Sequence, residues 1–258
     1  MARFRKSISN QVFAGWDIAP VMEHVAGLGY DGVEIAPHTL ADSVQQISAT
    51  ERQRIRRTAE SAGIEIVGFH SILKSPTQAL HVNHPDAAIR ARTVAYLKAL
   101  VALCGDLGAG ILVLGSPKQR DVHPALTPEQ AWGYAVGTFG ASLRFAIISP
   151  ITFCLEPITH RITDFVTTVS EALRMVEEID HPNFQMMIDV RSASDDERPI
   201  PDLIRQAAAH LAHFHANDDN GKGPGAGGAD YAGISAALKE VMYSGYLSVE
   251  VFDFEPDS

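Results

Sequence analysis

Short apolar runs alternate with stretches of helical spacing along almost all of this 258-residue chain. Lys6 to Asn10 reads as a weak first strand. From Asp17 to Gly29, Ile18, Val21, Met22, Val25 and Leu28 recur at helical spacing, and Gly29 is placed to stop the helix. Gly32 to Ala36 reads as a buried strand that carries Glu34. Thr50, with Gln53 three residues on, forms a capping-box pattern for a helix to Ala62, ended by Gly63. Ile64 to Phe69 is the next apolar strand and delivers His70.

The pattern repeats through the second half. Asp86 to Leu107 is a helix, followed by the strand Ile111 to Leu114. Pro128 to about Ile148 is helical but interrupted by Gly133, Gly137 and Gly140. Strands at Ile151–Glu156, Phe184–Asp189, Leu211–His215 and Tyr246–Glu250 then alternate with helices at Thr163–Ile179, Ile200–His210 and Ala232–Met242.

Most of these strands are apolar without a break, which means burial on both faces and hence a parallel sheet. About eight β/α units in this length predict an α/β fold, a closed (β/α)₈ TIM barrel forming one domain over residues 1–258. A doubly wound open sheet is the rival, but it gives no reason for functional residue types after nearly every strand. After Glu250 only Val251 to Ser258 remain, so the eighth helix is expected to be short or absent. The strand surface this would leave open suits a partner subunit, and a homo-oligomer is expected.

Four of the strands end in residues of metal-ligand type: Glu156, Asp189, His215 and Glu250. Two glutamates, one aspartate and one histidine form a mixed oxygen and nitrogen set suited to Mn²⁺, Mg²⁺ or Co²⁺. In a barrel all strand C-termini open on one face, so the four are expected to converge on one ion. His213 shares its strand with His215; strand alternation is expected to turn only one of them inward, His215, leaving His213 against the helices.

Charge and composition narrow the partners. The formal charge of −10 argues against a nucleic-acid backbone, which calls for a basic stripe. Met1-Ala2-Arg3-Phe4-Arg5-Lys6 is not followed by the apolar stretch of a secretory signal, and no run is long enough to span a membrane. Cys104 and Cys154 sit in apolar surroundings as expected for buried free thiols in a reducing compartment. A soluble cytoplasmic protein with a small-molecule substrate, and neither a nucleic-acid nor a membrane partner, is the expectation.

Leu155-Glu156-Pro157, Met187-Ile188-Asp189, His213-Phe214-His215-Ala216-Asn217-Asp218 and Ser248-Val249-Glu250-Val251-Phe252 resemble the sugar phosphate isomerase/epimerase family of xylose isomerase-like TIM barrels. So do Gly29 to Glu34, Gly115 to Arg120, and Thr163-Asp164-Phe165. The likeness spans nearly the whole chain. It implies a divalent ion held by Glu156, Asp189, His215 and Glu250, with the two glutamates as acid and base on opposite faces of a ketose. The chemistry has its own logic. A proton beside a carbonyl is too weakly acidic for a free carboxylate, and a metal that chelates the carbonyl and adjacent hydroxyl stabilises the enediolate.

Two positions depart from the pattern of the family's ketose 3-epimerases. Ser192 stands where they carry a histidine, three residues after the metal aspartate. Ile162 stands where they carry a glutamate, six residues after the first metal glutamate. Further substrate contacts are expected from Glu34, His70, Lys118, Arg120, Arg191 and Lys222, with the cations suited to a phosphate or carboxylate. The leading expectation is a metal-dependent isomerase or epimerase of a small sugar, sugar phosphate or keto acid. The alternatives are a metal-dependent dehydratase of a cyclic polyol or keto acid, and a sugar-binding barrel without chemistry. The Gly-rich stretch Asn217 to Gly228, directly after a candidate ligand, is expected to belong to the site.

Overall fold

The computed structural model describes residues 3–146 and 150–253. Eight parallel strands close into a barrel in sequence order. They are β1 (Arg5–Ser9), β2 (Gly32–Ile35), β3 (Glu65–Phe69), β4 (Ile111–Leu114), β5 (Thr152–Leu155), β6 (Phe184–Asp189), β7 (Leu211–Ala216) and β8 (Tyr246–Val249). Pairing of Ser7 with Ser248 joins β1 to β8 and removes both sheet edges. The outer helices are α1 (Ile18–Gly27), α2 (Ala49–Ala62), α3 (Ala87–Leu107), α4 (Pro128–Leu143), α5 (Val169–Ile179), α6 (Ile200–Ala207) and α7 (Tyr231–Glu240). Among the described residues no helix follows β8. Residues 254–258 lie outside that set.

Period-two alternation divides the apolar residues between two layers. Ile8, Val33, Ile35, Leu112, Phe153, Met186, Ile188 and Phe214 belong to the main core between strands and helices. Val113, Cys154 and Met187 form a small separate cluster, on the barrel-interior face of their strands. Ile111 packs against that cluster, and Ser7, Ser9, Glu34, His213 and Ser248 add buried polar side chains. Strands that read as apolar on both faces therefore line a partly polar barrel. Both cysteines are buried free thiols, Cys104 in the helix layer and Cys154 inside the barrel.

Several element boundaries differ from the sequence expectation, those at the starts of α2 and α5 for a local reason. The cap of α2 is Ser48, whose hydroxyl accepts from the Glu51 N–H at 3.2 Å; Thr50 lies inside the first turn. Helix α4 ends at Leu143, and its expected extension to Ile148 reaches residues outside the described set. Helix α5 starts at Val169, six residues later than expected, behind a capping box formed by Thr168 and Glu171. Upstream, Val166 has φ +55°, and Thr163 and Asp164 are bonded to the loop after β4 through Asp121 and Val122. That loop-to-loop tie holds the segment across the top of the barrel, not in a helix.

Candidate active site and metal centre

Glu156, Asp189, His215 and Glu250 come together at the C-terminal mouth of the barrel. Each offers one ligand atom, and these four atoms lie within 4.8 Å of one another, all buried. His215 Nδ1 sits 2.8 Å from Glu250 Oε2, and His70 Nδ1 sits 2.8 Å from Glu250 Oε1. Neither nitrogen is aligned for a hydrogen bond to its carboxylate oxygen. The Asp189 carboxylate is fixed on both sides, Oδ1 accepting from the Ser192 N–H at 2.8 Å and Oδ2 from Asn217 Nδ2 at 2.6 Å.

Electrostatics agree with a cation site. Burial, reinforced by the Asp189 and Glu250 charges, raises the Glu156 carboxyl well above the usual carboxylate range. Burial and Glu250 raise Asp189 as well. For Glu250 burial acts upward too, but the His215 and His70 imidazoles beside it outweigh it and hold the group low. Three buried carboxylates and an imidazole thus crowd one point, where a divalent cation exchanges mutual repulsion for attraction. The donor set fits a hard or borderline ion.

Glu34 has a different place from the one expected. It is fully buried and lies beneath the mouth, with Oε2 at 3.0 Å from His213 Nε2 and Oε1 at 3.2 Å from His215 Nε2. The Ser248 hydroxyl donates to the same carboxylate. Burial disfavours charge on Glu34, yet the two imidazoles outweigh that and hold it well below the usual range. A carboxylate accepting from the Nε2–H of His215 leaves Nδ1 as the ligand atom, the outer-sphere arrangement that orients metal-bound histidines. His213 is corrected by the same geometry. Residues two apart on a strand share a face, so His213 and His215 both turn into the barrel and both meet Glu34.

Above the ligands a pocket is lined by His70, Ser71, Gly115, Pro117, Glu156, Ile158, Ile162, Arg191, Ser192, Glu250 and Phe252. His70 and Arg191 are in its wall, and so are Ile162 and Ser192, the two departures from the epimerase pattern. Arg120 is not. It is buried below, donating to the carbonyls of Glu156 (2.7 Å) and Leu114, and so braces the ends of β4 and β5. Burial lowers its guanidinium to about 10, with Glu156 and Asp121 acting against that. Lys118 is exposed on a 3₁₀ turn, and Lys222 pairs with Asp253 at 3.9 Å. Neither lysine is in the wall.

Three further residues shape the site: Asn217 and Asp218, from the stretch expected there, and Ser9, which the sequence reading did not single out. Asn217 orients Asp189 and also accepts the Arg191 N–H at 2.8 Å. The Ser9 hydroxyl lies 2.7 Å from His70 Nε2. Asp218, fully buried, accepts from the N–H groups of Asp219 (3.0 Å), Gly225 (2.9 Å) and Ala229 (3.0 Å) and so folds the Gly-rich loop on itself. From that loop the Gly221 carbonyl accepts from the Phe252 N–H at 2.8 Å, which carries the chain after β8 back over the mouth. Asn217 and Asp218 stand two and three residues after His215, at the start of the Gly-rich stretch, and both features signal them in the sequence.

Among curated proteins, the D-psicose 3-epimerase of Agrobacterium fabrum is 26% identical over 235 residues, covering 90% of this chain and 78% of the relative. The D-psicose 3-epimerase of Ruminiclostridium cellulolyticum is 28% identical over 235 residues, with 90% and 77% covered. Among solved structures, D-psicose 3-epimerase from Clostridium cellulolyticum H10 with D-tagatose superposes with a TM-score of 0.86 at 23% identity, covering 96% of this chain and 85% of that one, a likeness of fold. The family model described as xylose isomerase-like TIM barrel matches residues 22–258. With that match over nearly its whole length, the chain belongs to the xylose isomerase-like TIM barrel family.

Proposed function

We propose that this protein is a divalent-metal-dependent epimerase or isomerase of a small ketose-type sugar or keto acid. One observation carries the reading: Glu156 and Glu250 belong to a buried four-ligand set and both also line the pocket above it. The relatives named as ketose epimerases support it. Mn²⁺, Mg²⁺ or Co²⁺ is the proposed ion, held by Glu156, Asp189, His215 and Glu250. When bound, such an ion supplies Lewis-acid stabilisation of negative charge on the substrate's carbonyl and neighbouring hydroxyl oxygens. One of the two glutamates takes the proton from the carbon beside the carbonyl, and the C–H electron pair delocalises into the carbonyl. The other returns a proton to the opposite face, or to the neighbouring carbon in an isomerisation. His70, against Glu250, holds that carboxylate in position. Ile162 and Phe252 at the rim limit entry of water.

We further propose a cytoplasmic homo-oligomer. Its support is the two buried free thiols and the half-buried Leu247 and Val249 of β8. No described helix is long and apolar enough to cross a membrane.

The test is deuterium wash-in from D₂O with Mn²⁺ and a panel of ketoses, followed by mass and NMR analysis. Exchange at the carbon beside the carbonyl without net loss of water is expected, and Glu156→Gln and Glu250→Gln should each abolish it. Net dehydration would make the protein a lyase instead. No exchange across the panel, with metal bound, would make it a sugar-binding barrel.

A further inference from the structure

We infer that the substrate of this site carries an anionic group, a phosphate or a carboxylate, that pairs with Arg191; the inference rests on the reading that the pocket above the ligands is the substrate site. Arg191 follows Asp189 by two residues, and its N–H is tied to Asn217, which also holds Asp189. Its guanidinium packs over the Phe252 ring at 4.8 Å. On another side it lies against Gly221, where a Cβ would be in ordinary van der Waals contact, 3.5 Å from Nε and 3.6 Å from Cζ. An arginine stacked in this way has surrendered much of its rotamer freedom before any ligand arrives.

Arg191 lines the pocket that contains Glu156 and Glu250 and also the outer groove formed with Thr159, Arg161 and Asp195. It therefore stands between the two, at the end of the pocket away from the barrel interior. It is the only lysine or arginine in the wall of the inner pocket among the described residues. Among those residues it makes no ion pair, while the carboxylates nearby are engaged. Asp195 pairs with Arg161 at 2.8 Å, Asp219 accepts the Gly228 N–H at 3.1 Å, and Glu156, Asp189 and Glu250 belong to the four-residue set.

The pocket wall supplies the complementary argument. Recognition of a neutral polyol requires donors and acceptors matched to its hydroxyls. Here the positions where the 3-epimerase pattern has a glutamate and a histidine carry Ile162 and Ser192. One cannot hydrogen-bond and the other is short, and the neighbours Pro117, Ile158 and Phe252 are apolar. Fewer hydroxyl contacts in the wall, beside the Arg191 cation, favour recognition of a charged end group over sugar hydroxyls. A guanidinium fork meets phosphate or carboxylate with two parallel N–H···O bonds.

The experiment compares three ligands that differ only at the terminal carbon: fructose, fructose 6-phosphate and fructuronate. Dissociation constants are measured by calorimetric titration of the Mn²⁺-loaded protein, for wild type, Arg191→Gln and Arg191→Lys. At least one anionic ligand is expected to bind 10-fold or more tighter than fructose, and which one does so separates phosphate from carboxylate. The ratio should collapse toward one in Arg191→Gln and survive in part in Arg191→Lys. Fructose binding as tightly as both anions, or a ratio unchanged in Arg191→Gln, overturns the inference. Deuterium wash-in on the same samples keeps the two readings apart. Exchange without anion preference sinks this inference alone, whereas anion preference without any exchange supports it and sinks the epimerase.

Discussion

Gly115, just past the end of β4, leaves the space into which the Glu156 carboxylate folds. A Cβ built on Gly115 would collide with Glu156 Oε2 and lie 3.0 Å from its Cδ. The glycine is needed for close approach, so any side chain there must push Glu156, the proposed metal ligand and proton-transfer group, off its position. Gly115→Ala should leave the circular dichroism spectrum unchanged and reduce turnover about 100-fold, the scale expected of a displacement near 1 Å. Turnover within a factor of two of wild type would show that Glu156 has room to spare.

Glu34 predicts a metal-affinity effect from a residue outside the proposed four-ligand set. Glu34→Gln retains the shape but cannot accept in the same way from both His213 and His215. Mn²⁺ affinity, measured by titration, should fall about 10- to 100-fold, as for other outer-sphere partners of ligating histidines. Unchanged affinity would mean that His215 is oriented by packing alone.

Metal removal should be visible in stability, since the ligand set exists in the folded barrel alone. Dialysis against a chelator should lower the melting temperature, and Mn²⁺ at 100 times its dissociation constant should restore about 2.7 kcal/mol. The check is scanning calorimetry with Mn²⁺, Mg²⁺ and Co²⁺ in turn. The shift should disappear when Asp189 is replaced by Ala.

Asp218 predicts a loop effect distinct from a ligand effect. Asp218→Ala strands three N–H groups inside the Gly-rich loop. Denaturant unfolding should show a loss on the order of 1–3 kcal/mol. Substrate affinity should weaken through Phe252, which hangs from Gly221, while Mn²⁺ affinity stays near wild type.

His81 supplies a pH dependence remote from the ligands. Burial, with His84 and His123 adding to it and Asp121 opposing, lowers His81 to about 4. As pH falls through about 6.5, the unfolded chain takes up this proton while the folded protein does not, so stability is lost from there down to about 4. Above that window His81 is neutral in both states and contributes no slope. His81→Gln should therefore lose less stability than wild type between pH 7 and pH 5 in urea titrations; equal losses would count against the assignment.

Much of this protein is local and so could be read from residue order. Apolar runs of strand length, broken by helical spacing, specify the eight strands, because burial on both faces demands such runs. Four runs that end in Glu156, Asp189, His215 and Glu250 imply a shared site, since a closed parallel barrel has one C-terminal face. The start of α5 shows where this stops. The helical pattern runs back to Thr163, but tertiary bonds from Asp121 and Val122 hold Thr163 and Asp164 in a loop, and the helix waits for the Thr168 cap.

What only the tertiary structure decided are relationships across the barrel. The pairing of Glu34 with His215 spans 181 positions, and no spacing rule reaches so far. Arg120 looks like a mouth cation in sequence, yet it is drawn below by the carbonyls of Leu114 and Glu156. Arg191, of the same residue type, remains at the pocket because Phe252 and Gly221 return there from other strands. Strand order and ligand chemistry are properties of short segments, set by backbone period and side-chain type. Which of several equivalent charges faces the substrate depends on which neighbours closure of the barrel brings beside it.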